Sequence, residues 1–181
     1  MGSWYRAQPW VSLLVRLALA GVFLLAGSLK IADLEANQRA VIAYELLPND
    51  VAIMVGSIQP FFELGLGLLL LLGLAVRLAA WLSAIIFVVF ISGISSAWAR
   101  GLNIDCGCFS KGGTLAPGET PNYLPSILWD VVYLAMAIFL IVYPVSRFSL
   151  DGWLNRSSIV DTEGEIDEQT SGSQVGRPDR S

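Results

Sequence analysis

The sequence predicts an all-α integral membrane four-helix bundle, followed by a disordered acidic tail. Of the 181 residues, 55% are hydrophobic and only 14% are charged, whereas soluble domains are about 25% charged. The apolar residues are concentrated in four runs, at about 11–29, 51–74, 78–99 and 126–145. Each run is close to the roughly 20 residues that a helix needs to cross a bilayer core. A lipid bilayer is therefore the expected surrounding.

Charge divides the chain into two parts. Residues 1–150, the expected four-span domain, carry eight acidic and eight basic side chains. Residues 151–181 carry seven acidic and three basic side chains, which supplies the whole net charge of −4. That tail has too little apolar surface to order itself. No basic surface for nucleic acid and no phosphate-cradling glycine loop is visible in the sequence.

The first two spans carry features that decide their interpretation. Arg16 interrupts the first apolar run, which argues against the rival interpretation of that run as a cleaved signal peptide ending near Ala26–Ser28. A short interfacial helix is expected over Leu34–Leu46.

In the bundle, small residues permit close approach of helices, so several are expected to face neighbouring helices: Gly65, Gly67, Ser92 and Ser96.

Two cysteines mark the candidate site. Cys106 and Cys108 are the only cysteines in the chain, and one glycine separates them. A disulfide between them would close a small, strained ring, and strained, exposed disulfides are the labile ones. A redox-active pair is the leading interpretation. Two alternatives stay open: a structural pair beside a turn, or half of a metal site shared between chains, since one chain without histidine cannot complete a Cys/His zinc tetrahedron.

Three charged residues are expected to support this pair. Asp105 precedes the first cysteine, where a carboxylate disfavours the thiolate by like-charge repulsion. Arg100, at the end of the third span, is placed to stabilise a nearby thiolate. Asp130 is expected in the first turn of the fourth helix. It could accept a proton during thiol exchange, but complementing the helix dipole is the preferred role there.

Arg16 and Glu63 are expected to form an intramembrane ion pair, because an ionised side chain inside a bilayer is costly unless paired. If Trp10 and Leu74 lie at the same membrane face, Arg16 and Glu63 differ in depth by about 7 Å. A long arginine spans that difference. Lys30 is the worse candidate under this assumption, and the alternative is an Arg16 that reaches the interface alone.

Four spans place both termini on one membrane face and the cysteine loop on the other. The basic residues of the loops divide almost evenly between the faces and do not decide the orientation. Labile disulfides persist in oxidising compartments, so the cysteine loop is expected to be extracytoplasmic and the termini cytoplasmic.

Over about Leu13–Val145 the sequence resembles the MauE family, part of the DoxX-like group of small four-helix membrane proteins in bacteria. The resemblance implies a multi-pass protein of the bacterial plasma membrane. One departure is Ser110, where the family pattern leads us to expect glycine. The matching features are Arg16, Ala26–Lys30, Leu47–Pro48, Glu63, Arg100 and the segment Asp105–Phe109.

MauE proteins are associated with methylamine metabolism, and the family is implicated in maturing the disulfide-rich small subunit of methylamine dehydrogenase with a thioredoxin-like partner. The resemblance therefore implies that Cys106 and Cys108 relay electrons between a thioredoxin-like protein and a client protein or a quinone. No cofactor is evident from the residues themselves. The alternatives are a non-catalytic membrane subunit or assembly factor that docks a redox enzyme, and a quinone-linked subunit.

Overall fold

The computed structural model of the chain describes residues 2–105, 113–114 and 121–143, and the acidic tail lies outside them. Four of the helices are long and apolar enough to cross a membrane, the first over Gln8–Ala32. The predicted all-α, four-helix membrane class is thereby confirmed. In chain order, the elements are α1 (Gly2–Ala32), α2 (Leu34–Ala43), α3 (Asn49–Leu72), α4 (Val76–Ala99), strands β1 (Ile104–Asp105) and β2 (Gly113–Thr114), and α5 (Tyr123–Val142).

The four long helices pack as two pairs, α1 with α3 and α4 with α5, and contacts of α1 with α5 and of α3 with α4 close the bundle. Their shared core consists of small and aliphatic side chains around Phe23 and Phe87, whose ring centroids are 5.3 Å apart. Large apolar side chains on the outer faces are exposed, among them Phe62, Leu78, Val89 and Trp129. An exposed apolar surface of this kind suits lipid rather than water.

Glycines set how closely α1 and α3 approach. A Cβ atom at Gly67 would lie 2.8 Å from Leu24 Cγ, and one at Gly27 would lie 3.0 Å from the Pro60 carbonyl oxygen. The prediction for Gly67 is confirmed, because only a residue without a side chain fits there.

Two other small residues predicted to face neighbouring helices do not. Gly65 has nothing within 4 Å of a Cβ position. Ser92 is exposed, and its hydroxyl donates to the Val88 carbonyl of its own helix. Each of these residues lies on the outward side of its helix, where a small side chain creates no interhelical contact.

Helix α2 follows α1 after a single residue and packs on α3. Asp33 makes this junction, since its Oδ1 accepts a hydrogen bond from the Ala36 N–H at 2.9 Å, the usual way an N-cap side chain satisfies a free backbone donor. On the α3 side, a Cβ at Gly56 would lie 2.8 Å from the Gln38 Cα. The short helix predicted over Leu34–Leu46 is present, but it ends at Ala43.

A three-residue turn joins α3 to α4. Gly73 has a φ of 69° and Ala75 a φ of 45°, both in the left-handed region. The Leu74 N–H reaches back 3.0 Å to the Leu69 carbonyl, which satisfies one of the last acceptors of α3 in the manner of a glycine-ended helix. The two helices therefore run antiparallel with almost no connecting chain.

Candidate functional site below the cysteine loop

The cysteine loop begins and ends at a short antiparallel strand pair. Ile104 pairs with Thr114 and Asp105 with Gly113, and both strands contact α2. Cys106 and Cys108, between these strands in the sequence, lie outside the described residues, as does the side chain of Asp105. Their predicted roles stay predictions. The strand pair itself was not expected from the sequence, which indicated only a loop between the third and fourth spans.

Tyr123, the first residue of α5, fixes the chain that leads into this strand pair. Its hydroxyl donates to the Leu102 carbonyl and accepts from the Ile104 N–H at 3.3 Å. Ile104 is 3% exposed and packs with Ile94 and Ala97 of α4. One buried side chain therefore satisfies both backbone groups at the base of the cysteine loop.

Arg100 is used to join two helix ends. Its guanidinium donates to the carbonyl oxygens of Tyr44 and Glu45 at the end of α2, and its Nε lies 3.3 Å from the Ser96 carbonyl of its own helix. Cationic side chains suit the carbonyl-rich ends of helices. Arg100 therefore lies at the end of the bundle where β1 follows α4, and its predicted role beside a thiolate stays a prediction.

Glu63 pairs with Lys30, and the predicted pairing with Arg16 is wrong. Lys30 Nζ lies 2.6 Å from Glu63 Oε1, and the two side chains are 8% and 1% exposed. Arg16 precedes Lys30 by fourteen residues on the same helix, or about 21 Å of rise. It lies one turn from Ser12, whose hydroxyl donates to the Tyr143 carbonyl at the opposite end of the bundle.

The error came from the register between α1 and α3. The prediction set Trp10 level with Leu74, whereas the close contacts pair Leu24 with Gly67 and Gly27 with Leu64. In that register α1 extends about two turns further toward the terminal face than was assumed. This difference in register separates Arg16 from Glu63 along the helix axis and brings Lys30 level with Glu63.

Other polar groups surround the Lys30–Glu63 pair. The Gln59 side-chain amide donates to Glu63 Oε1 at 3.0 Å, and Lys30 Nζ lies 5.2 Å from the centroid of the Phe90 ring, a cation–π distance. Glu63 Oε2 is buried and has no hydrogen-bond partner within the described part of the chain. Sequence reasoning missed Gln59, although its i, i+4 spacing from Glu63 was a usable signal.

Asp130 lies deeper than the sequence indicated. The fourth membrane helix begins at Tyr123, so Asp130 is two turns inside it rather than in the first turn. The preferred dipole role does not apply there, since the dipole effect fades within the first turn. The side chain is 3% exposed, and its Oδ2 has no partner among the residues that the structure describes. The ring contact between Phe87 and Tyr133 sets Asp130 near the level of Phe90, whose ring lies 5.2 Å from Lys30 Nζ.

A cleft of about 180 Å³ opens beside this charged cluster, between α2, α3 and α4. Its walls are mostly apolar, and Lys30 contributes the charged group. Asn37 and Gln59 also line it, but both amides are already engaged, that of Asn37 with the Gly56 carbonyl at 2.6 Å. The cleft therefore offers a small apolar space with one ammonium group at its wall.

The cleft, the charged cluster and the strand pair all lie at the end of the bundle where α1 ends and α5 begins. No curated protein and no solved structure matches this chain. The family model described as "Methylamine utilisation protein MauE" matches residues 8–143, from the start of the first apolar span to the end of α5. Because the match covers most of the chain, the protein belongs to the MauE family of membrane proteins, which implies a role in methylamine utilisation.

Proposed function

We propose that the chain relays electrons between thiols and disulfides through Cys106 and Cys108 at the extracytoplasmic face of the bacterial plasma membrane. The observation that supports this proposal is the Asp105–Gly113 pairing, which attaches the stretch containing the only two cysteines to a buried anchor at Tyr123. A membrane bundle that fixes the backbone at both ends of this stretch is suited to presenting thiols to a soluble protein.

The exchange follows ordinary thiol chemistry. A thiolate of one cysteine attacks the disulfide of a thioredoxin-like partner, which forms a mixed disulfide and releases one partner thiol. The other cysteine then attacks its neighbour, releases the second partner thiol and leaves a Cys106–Cys108 disulfide. Two electrons and two protons pass to the partner. The reverse sequence would oxidise a client, such as a subunit of methylamine dehydrogenase that needs disulfides.

A trapping experiment tests the relay. With the resolving cysteine removed, a mixed disulfide cannot be released, so Cys106→Ser or Cys108→Ser in the full chain should accumulate a crosslink to one partner in native membranes, reversible by reductant. The double serine variant carrying Asn103→Cys is the matched control, since Asn103 is exposed in the same loop region. Equal crosslinking by the control, or none by either single variant, would favour a non-catalytic docking subunit instead.

A second candidate function, supported by the cleft, is electron transfer to a quinone. Oxidation of the dithiol releases two electrons and two protons, and a quinone takes up both to become a quinol. The cleft has the volume of a single small ring, aromatic groups in Phe90 and Tyr44, and the ammonium of Lys30 as a donor for a carbonyl oxygen.

The cleft can be filled without touching the charged cluster. Gly93 lines it, and a Cβ there would point toward the Tyr44 ring at 3.7 Å. We expect Gly93→Leu to abolish binding of a ubiquinone analogue to the purified chain, and Gly65→Leu, on the outer face, to leave binding unchanged. Absence of binding to the unmodified chain would eliminate the quinone role and leave the thiol relay intact.

A further inference from the structure

The buried charges at the cysteine end of the bundle do not balance. Lys30 contributes one positive charge, and Glu63 and Asp130 would contribute two negative ones. Lys30 is 8% exposed, Glu63 1% and Asp130 3%, so all three side chains are largely removed from bulk solvent. An uncompensated charge in such a setting is expensive, and proteins avoid it by pairing or by neutralising the group.

In the part of the chain that the structure describes, no other cation is placed to supply the balance, since Arg100, at the same end of the bundle, donates to the carbonyls of Tyr44 and Glu45. Helix α5 packs on α1 and α4. On α1 the other buried cation is Arg16, about 21 Å further along the helix axis. On α4 the single charged residue is Arg77, in its first turn, and the ring contact between Phe87 and Tyr133 puts it about 20 Å from the level of Asp130.

Lys30 itself is already committed. Its Nζ is 2.6 Å from Glu63 Oε1, so the direct partner of the ammonium is Glu63 rather than Asp130. Asp130 has no hydrogen bond to it, and the Oδ2 atom of Asp130 has no partner among the described residues. Tyr133, one turn further along α5, carries no charge at neutral pH.

We propose that Asp130 is a proton-binding site, occupied in the resting protein, so that the Lys30–Glu63–Asp130 cluster is electrically neutral. The proton can then pass between the two carboxyls: if Lys30 moves from Glu63 to Asp130, Asp130 gives up its proton and Glu63 takes one up, so the cluster stays neutral. Because Lys30 also lines the cleft, an occupant that displaces its ammonium from Glu63 toward Asp130 would change which carboxyl holds the proton. This site goes beyond the thiol relay and does not depend on it.

Infrared spectroscopy of the full chain in lipid nanodiscs at pH 7 tests the proposal, since a buried protonated carboxyl has a C=O stretch separate from those of carboxylates and amides. We expect one such band in the unmodified chain, shifted by ¹³C labelling of aspartate side chains and lost in Asp130→Asn. Asp50→Asn, at an exposed position in the first turn of α3, should keep it. The double serine variant of the cysteines should also keep it, which separates this result from the fate of the relay.

Glu63→Gln provides the sharper variant. With Glu63 neutral, Lys30 is left with Asp130, which should then ionise, so the band should disappear although Asp130 is still present. A band that survives in Glu63→Gln would overturn the proposal. It would also be overturned if the unmodified chain showed no aspartate band. A band that appeared only after sodium and potassium were removed would overturn it too, because a metal cation would then be the balancing charge. The ¹³C assignment needs no variant and stands even if Asp130→Asn does not fold.

Discussion

Replacing Lys30 by methionine should be the most damaging single change in the bundle. Methionine keeps much of the side-chain volume but removes the ammonium, which leaves the buried Glu63 carboxylate without its counter-charge. Removing one partner of a buried ion pair typically costs about 3–5 kcal/mol. For a chain of this size, each kcal/mol shifts the melting temperature by about 2–4 °C. The expected fall is therefore about 6–20 °C, measured by thermal unfolding in detergent.

A double-mutant cycle identifies the cause. Glu63→Gln alone should cost less than Lys30→Met, since Asp130 can serve as the new counter-charge. The double change Lys30→Met/Glu63→Gln should also be less destabilising than Lys30→Met alone, because no ionised carboxyl is then left opposite a missing cation. Effects of the two single changes that simply add within about 0.5 kcal/mol would show that the residues are not coupled, and the reasoning would fail.

The surface pair Glu35–Arg39 is a matched control within the same protein. Its closest atoms are 3.6 Å apart, and the side chains are 85% and 61% exposed. Exposed i, i+4 pairs contribute about 0.3–0.5 kcal/mol, so the same cycle there should give a coupling near the detection limit. A coupling as large as that of Lys30 and Glu63 would show that burial is not the source of the effect.

Three further changes test the packing and the anchor. Gly56→Ala places a Cβ 2.8 Å from a backbone atom of α2 and should destabilise the protein by about 1–3 kcal/mol. Gly65→Ala, with open space around the new Cβ, should be neutral or slightly stabilising in the same unfolding assay. Tyr123→Phe leaves the buried Ile104 N–H without its partner, and should cost about 1–3 kcal/mol and speed hydrogen exchange at that amide. Asp33→Ala removes the cap of α2 and should cost about 0.5–2 kcal/mol; unchanged circular dichroism and stability would count against its role as a cap.

Hydropathy and length sufficed to predict the four spans, because a bilayer imposes a minimum run of apolar residues on any helix that crosses it. They did not predict the register between spans, because every turn of an apolar helix offers a similar surface. The register here depends on where Gly27 and Gly67 allow the neighbouring helix to approach. Gly65, two residues from Gly67, faces outward, so the presence of a glycine does not reveal which side of the helix it lies on.

The candidate site likewise has one part that the sequence predicts and one part that it does not. The cysteine pair is visible as a spacing in the sequence, and the buried cluster is not. Lys30 was discounted on an assumed depth, and Asp130 was interpreted by its nearness to a helix start that the structure moves to Tyr123. Both errors concern position along a helix axis, which is set by side-chain packing between helices rather than by the composition of either one.

The tight connection between α3 and α4 has a consequence for how the chain enters the membrane. With only Gly73–Ala75 between them, the two helices are suited to insertion as one antiparallel hairpin, in which Glu63 enters together with α4. Synthesis proceeds from the N-terminus, so Lys30 is already at the membrane by then, near the end of α1, where a lysine can extend its ammonium to the interface. A Glu63 that enters after Lys30 can pair with it at once, so this order of helices along the chain suits an acidic residue that would be costly in lipid without a partner.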